Sequence, residues 1–225
     1  MVSRISSIFV VGCLCGLCSC SDRVAKKDAH TALAQGDGER AARFFSQALD
    51  RDPGDVRLRR GLGEAWLLVA RQRSEDGEDK PSDWSRAVHE LERSPSDTAA
   101  KRILSEAQLG WAKALVRAGD TDRAVRGLEH ELEATPRATA ARNFLAILVD
   151  RRGERDHAEE LFLQNAAIDS TDANAWFNLA LVEWGRGRKL DAAEHMLHAS
   201  KLDPKDPEIL LWLERISKRF GEDRK

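Results

Sequence analysis

Residues Ala173–Asp206 read ANAWFNLALVEWGRGRKLDAAEHMLHASKLDPKD, and this stretch decides the fold. Trp176, Leu179, Ala180 and Glu183 fall at i, i+3, i+4 and i+7, the spacing of one stripe along a helix. Gly187 follows, where a residue able to take positive φ ends that helix. A second periodic run carries Ala192, Met196 and Ala199, and Pro204 stops it. The spacing predicts a helix, a tight turn and a second helix folded back on the first. Ala192 is small enough to let the two approach closely.

The same landmarks recur upstream at a step of 34 residues: Gly119, Gly153 and Gly187; Ala124, Ala158 and Ala192; Leu128, Phe162 and Met196. Pro136, Ser170 and Pro204 close these units. A fixed period of this length marks a repeat architecture, and one hairpin cannot bury both faces without stacked neighbours. The unit resembles the tetratricopeptide repeat (TPR). Trp176, Leu179, Ala180, Gly187, Ala192, Ala199 and Pro204 fill seven of its eight signature places, and Glu183 stands where a tyrosine is usual. The resemblance implies an all-α, TPR-type helical-hairpin solenoid.

Working outward gives about five units, at roughly 22–55, 56–104, 105–138, 139–172 and 173–206. The first unit carries Gly36, Ala41, Phe45, Ala48 and Pro53, with Asp28 where its first helix would be apolar. The second is interrupted. Leu62, Gly63 and Trp66 fit a first helix, but Trp84, Ala87 and Leu91 arrive late, after the charged segment Arg71–Asp83. That segment reads as an inserted loop or a polar helix extension. A long helix is expected from about Asp97 to Ala118. Ile209, Leu210, Trp212, Leu213 and Ile216 predict a capping helix over 207–220, with a polar tail at 221–225.

The N-terminus has a different character. Arg4 precedes a 13-residue apolar run, Ile5–Leu17, and the composition turns polar after Cys20. This is the layout of a secretory signal, too short to span a bilayer comfortably. Leu17-Cys18-Ser19-Cys20 resembles the bacterial lipobox. The resemblance implies a signal peptide at 1–19, a lipid on Cys20 and a stable membrane anchor. In two-membrane bacteria Ser21, rather than an Asp, favours the outer membrane, facing the periplasm. All four cysteines lie in the first twenty residues, so no disulfide frames the folded body.

Thirty-six basic residues stand against 38 acidic ones, which argues against nucleic-acid binding by bulk charge. There is no phosphate-binding Gly-Lys-Ser loop, no Gly-x-Ser-x-Gly elbow, and no cysteine after Cys20 to act as nucleophile. His89-Glu90 and His130-Glu131 lack the second His of a zinc-protease motif. His195 and His198 are spaced to share a metal, but they sit at variable second-helix places. The expectation is a binding protein without catalysis, cofactor or metal.

TPR proteins bind other proteins along the face lined by first helices. Carried over by register, that face takes Arg57, Arg60, Glu64, Leu67 and Leu68 from the second unit, and Glu106, Leu109, Lys113, Val116 and Arg117 from the third. The fourth supplies Asn143, Ile147 and Arg151; the fifth Asn174, Phe177, Asn178, Leu181 and Trp184. An extended peptide or helix with an apolar anchor and acidic character fits this set. The expected role is a lipid-anchored adaptor in a pilus, outer-membrane or cell-wall assembly. The alternative is a glycan binder that stacks sugars on Phe177 and Trp184. Trp66, Trp111 and Trp176 lie on the packing stripe and are expected in the core.

Overall fold

The computed structural model describes residues 24–222, with side chains to 219. Cys20, the proposed signal segment and the end of the tail lie outside these residues. The described residues form eleven helices joined by short turns, with no strand among them. None of these helices is long and apolar enough to cross a membrane. They divide into two compact units, one through Ala118 and one from Gly119.

The first unit holds a helix over 24–34 (α1), α2 (Gly38–Arg51), α3 (Val56–Glu75), α4 (Pro81–Glu92) and α5 (Thr98–Arg117). The second holds α6 (Thr121–Ala134), α7 (Thr139–Arg151), α8 (Arg155–Ile168), α9 (Ala173–Gly185), α10 (Lys189–Leu202) and α11 (Pro207–Glu222). Gly36, Gly77, Gly119, Gly153 and Gly187 mark the first-to-second-helix turns, all at φ between 77° and 86°. The last three keep the 34-residue step. The step from Gly36 to Gly77 is 41 residues, because α3 runs two turns longer than α7 or α9.

That difference settles the charged segment of the second unit. It is a helix extension through Glu75, followed by a short link and α4 with Pro81 at its first turn. The long helix is present as α5, from Thr98 to Arg117 with Asp97 and Ala118 as its caps, as expected. A unit boundary at 105 therefore falls inside a helix. α11 likewise extends to Glu222, past the expected start of the polar tail.

Aspartates open most of the helices. Asp37, Asp55, Asp97, Asp120 and Asp172 each accept a backbone N–H of the first turn, and Asp206 does so for α11. Each such cap stabilises its helix by about 1 kcal/mol. A second device recurs four residues after the cap. Arg59 donates to the Pro53 carbonyl, Arg142 to that of Pro136, and Trp176 Nε1 to that of Ser170, at 3.0 Å in the last case. Each reaches back six residues and fastens the incoming chain.

The cores explain why small residues recur. In the first unit, Phe45 is fully buried between α2 and α3, over Gly61. Trp84 is 7% exposed and its six-membered ring packs directly against Gly110 of α5. The indole Nε1 of Trp84 donates to Asp79 Oδ1 at 2.8 Å, while Arg117 Nε donates to Oδ2 of the same carboxylate at 2.7 Å. One loop residue thus fastens both α4 and the end of α5. Trp66, Trp111 and Trp176 are only half-buried, at the edges of their clusters. The fully enclosed indole is Trp84, on a second helix.

In the second unit, Leu128, Leu145, Leu148, Phe162, Leu179, Met196 and Ile209 are the largest enclosed apolar side chains. Arg142 takes the register place of Trp176 and is 6% exposed. It donates to neutral oxygens only, to Asn165 Oδ1 at 3.3 Å and to the Pro136 carbonyl, and burial lowers its pKa. Asn165 in turn donates to the Thr139 carbonyl at 3.0 Å.

Candidate functional site

Within the first unit, the first helices α1, α3 and α5 enclose a groove of about 380 Å³. Its apolar lining comes from Leu33 of α1, Leu67 and Leu68 of α3, and Ile103 of α5. Charge is supplied by Glu64 and Arg71 on α3, and by Arg102 and Glu106 on α5. Leucines face this side because α3 carries apolar residues on more than one stripe. Leu67 belongs both to the core cluster with α4 and α5 and to the groove lining, and Leu68 lines the groove outside either cluster.

Most of these charges are already compensated. Arg71 pairs with Glu106 across the groove rim. Arg60 bridges Glu64 at 3.3 Å and Asp97 at 2.9 Å. The Ala100 N–H, against the opposing effect of burial and with help from Arg60, holds the Asp97 carboxyl below its usual range. Arg102 has no ion pair among the described residues, and neither have the exposed Arg57 and Lys113 on the same two helices. The groove therefore combines an apolar floor with balanced charge, two cations and two anions, of which Arg102 has no ion pair among the described residues.

Of the residues carried over by register, Glu64, Leu67, Leu68 and Glu106 line this groove, and Leu109 and Val116 do not. Leu33, Arg71, Arg102 and Ile103 were not foreseen. Arg71 lies in the charged segment read as a loop or a helix extension, and Arg102 and Ile103 lie on the expected long helix but before the unit boundary at 105, where the count of groove positions began. Counting groove positions from Asp97, as from Asp55 and Asp172, would have included Arg102 and Ile103. Two expected cations are engaged internally: Arg60 with Glu64 and Asp97, and Arg117 with Asp79 at 2.5 Å.

In the second unit the expected face is different from its prediction. Phe177 is 6% exposed and packs under α11 with Ile209 and Ile216. Leu181 and Trp184 pack against the same cluster, beside Trp212 and Leu213. The capping helix thus occupies the place where these residues were expected to meet a ligand, and Phe177 offers no stacking platform for a sugar. Asn178 Nδ2 donates to Asn143 Oδ1 at 3.1 Å, joining α9 to α7. Ile147 is half-buried near this bond, and Asn174 and Arg151 are exposed.

The departures from the repeat pattern are also structural. Glu183 is buried, and its Oε2 lies 2.7 Å from His195 Nδ1. The rings of His195 and His198 lie 5.3 and 4.6 Å from that of Trp176. Both imidazoles therefore pack on the indole, and no group of three or more metal-ligating side chains forms among the described residues. Arg186 and Arg188 converge on Glu159, at 2.8 and 2.5 Å.

Comparison with known proteins agrees with this architecture. Family models described as tetratricopeptide repeat match residues 32–79, 109–173 and 151–207. A crystal structure of MamA protein is similar, at 19% identity and a TM-score of 0.57, covering 83% of this chain and 94% of that one. YrrB, described as a TPR protein with an unusual peptide-binding site, is similar at 18% identity and 0.56, covering 83% and 88%. No curated protein sequence matches the chain. The repeat of helical hairpins, its turn glycines and the family matches together place the chain in the tetratricopeptide repeat family.

Proposed function

We propose that this protein is a non-catalytic adaptor that binds an extended peptide segment of a partner protein in the α1–α3–α5 groove. The observation that carries this reading is the groove itself: four apolar side chains beneath a rim where Arg102 has no ion pair among the described residues. Such a surface favours a segment with an apolar anchor and a carboxylate beside it. The anchor gains from burial, and the carboxylate meets a cation that needs no rearrangement to receive it. YrrB, a neighbour in fold, is described as having a peptide-binding site, which supports the same use of the scaffold.

We further propose that the chain is held at a bacterial envelope by a lipid on Cys20, on the outer membrane and facing the periplasm. The support is the apolar run Ile5–Leu17 and the Leu17-Cys18-Ser19-Cys20 sequence. An anchored peptide-binder of this kind serves assembly of an envelope complex, by raising the local concentration of its partner.

The groove is tested by fluorescence anisotropy with labelled peptides carrying a Leu flanked by Asp or Glu. Arg102→Glu should weaken binding by about tenfold at low salt, with an unchanged melting curve, and a Lys-flanked peptide should reverse that preference. Equal affinity of wild type and Arg102→Glu for both peptides would remove the groove from consideration. The anchor is tested by mass spectrometry and membrane fractionation of wild type beside Cys20→Ala. Wild type without lipid, or both forms equally soluble, would reject it.

A further inference from the structure

α11 is built like a first helix of the repeat, and the molecule itself shows what such a helix needs on its outer side. Counting from the capping aspartates Asp172 and Asp206, Trp176 and Phe177 of α9 correspond to Leu210 and Leu211 of α11. On α9 the first packs against the two histidines of α10 and the second is buried under α11. On α11 the inward residues Ile209 and Ile216 are buried, but Leu210 and Leu211 are each 47% exposed. Among the described residues nothing covers them.

The charges beside this apolar face are arranged to complement themselves. Glu208, Leu211 and Arg215 recur at i, i+3 and i+7, so they share one stripe. Half-buried Trp212 adjoins Leu211, and the Arg215 guanidinium lies over its ring at 5.3 Å. Glu208 and Arg215 have no ion pair among the described residues, whereas the neighbouring Glu214 pairs with Lys218 at 2.6 Å. If two such helices cross antiparallel about a two-fold axis between Leu211 and Trp212, Glu208 of each copy faces Arg215 of the other. A two-fold contact brings the same patch to itself, so one stripe satisfies both ends.

We propose that the outer face of α11 is a homodimer interface, formed with α11 of a second copy of this chain. The apolar centre is Leu211 with Trp212, flanked by two symmetry-related Glu208–Arg215 pairs. One short helix per copy buries little area, so the dimer is a weak one. A lipid anchor would concentrate it at a membrane, but the inference does not depend on that or on the groove.

Sedimentation equilibrium of the full chain, in density-matched detergent at tens of micromolar, tests this. Wild type should show a monomer–dimer equilibrium, and Leu211→Glu should be monomeric with an unchanged circular dichroism spectrum. Glu208→Arg and Arg215→Glu should each raise the dissociation constant about tenfold by placing like charges opposite one another. The double variant E208R/R215E should restore it, because both pairs are rebuilt in reverse. Should Leu211→Glu unfold the chain, the charge variants still decide. A wild type that stays monomeric overturns the proposal. So does a dimer that survives Leu211→Glu, or charge variants that weaken binding without rescue in the double variant.

Discussion

Alanine at Gly110 isolates the effect of close packing from that of helix propensity. Gly110 lies inside α5, where Gly→Ala on its own favours the helix by about 1 kcal/mol. A Cβ there would stand 2.0, 2.3 and 2.6 Å from three ring atoms of Trp84, far inside contact distance. The ring has little freedom to retreat, being 7% exposed and tied through Nε1 to Asp79. Overpacking of this kind costs about 1–3 kcal/mol, and occasionally more. Loss of the Asp79 bond would add about 1 kcal/mol. Gly110→Ala should therefore destabilise the first unit by about 1–3 kcal/mol net of the propensity gain. Gly185→Ala is the control. It lies in α9, and only Arg155 Cζ comes within 4.0 Å of its would-be Cβ, so it should be neutral or stabilising. Urea unfolding followed by circular dichroism and tryptophan fluorescence reads both, a loss of 2 kcal/mol corresponding to a midpoint shift of about 1 M. The cost should shrink in a Trp84→Phe background, giving a coupling of about 0.5–3 kcal/mol. A Gly110→Ala protein as stable as wild type would refute the close approach of α4 to α5.

Two further outcomes are expected beside the groove and dimer tests. Arg142→Met should leave stability unchanged or raise it, because an apolar side chain of similar length replaces a buried guanidinium that meets only neutral oxygens. A loss above about 2 kcal/mol in thermal unfolding would instead show that the bond to the Pro136 carbonyl outweighs that desolvation. Asp97 is held below its ordinary pKa by the Ala100 N–H and Arg60, so its stabilisation is complete above the unfolded-state pKa and falls away as pH drops through the folded one. The stability difference between wild type and Asp97→Asn should be present at pH 7 and shrink below about pH 4, the unperturbed carboxylate range. A difference constant from pH 7 to pH 3 would mean that the carboxylate charge contributes nothing.

The second unit was nearly readable in full, because Gly119, Gly153 and Gly187 keep phase and each hairpin repeats the same small and large positions. The first was harder for a physical reason. Adding two turns to α3 preserves its helical face but shifts every later landmark, so a count in steps of 34 sets the next unit boundary late, inside α5. Glu64, Leu67, Leu68 and Glu106 of the groove lie on the face carried over by register, whereas Arg71, Arg102 and Ile103 lie on added turns and Leu33 on α1, for which no face was read. Phe177 failed differently. Its register place is a binding position only where another first helix does not fill that end, and α11 does so with Ile209 and Ile216. Burial of that kind is set by the neighbour and leaves no trace in the local pattern.

The bond that fastens each incoming chain also changes what counts as a repeat. At the fourth place after the cap the chain uses Arg59, Arg142 and Trp176, residues that share neither charge nor shape. They share a nitrogen donor on a long arm, delivered to a carbonyl six residues back. By the usual measures of similarity these positions look unrelated, yet mechanically they are synonyms. A comparison that scored donor reach in place of residue likeness would align the first unit with the second at the very point where its sequence drifts furthest from the pattern.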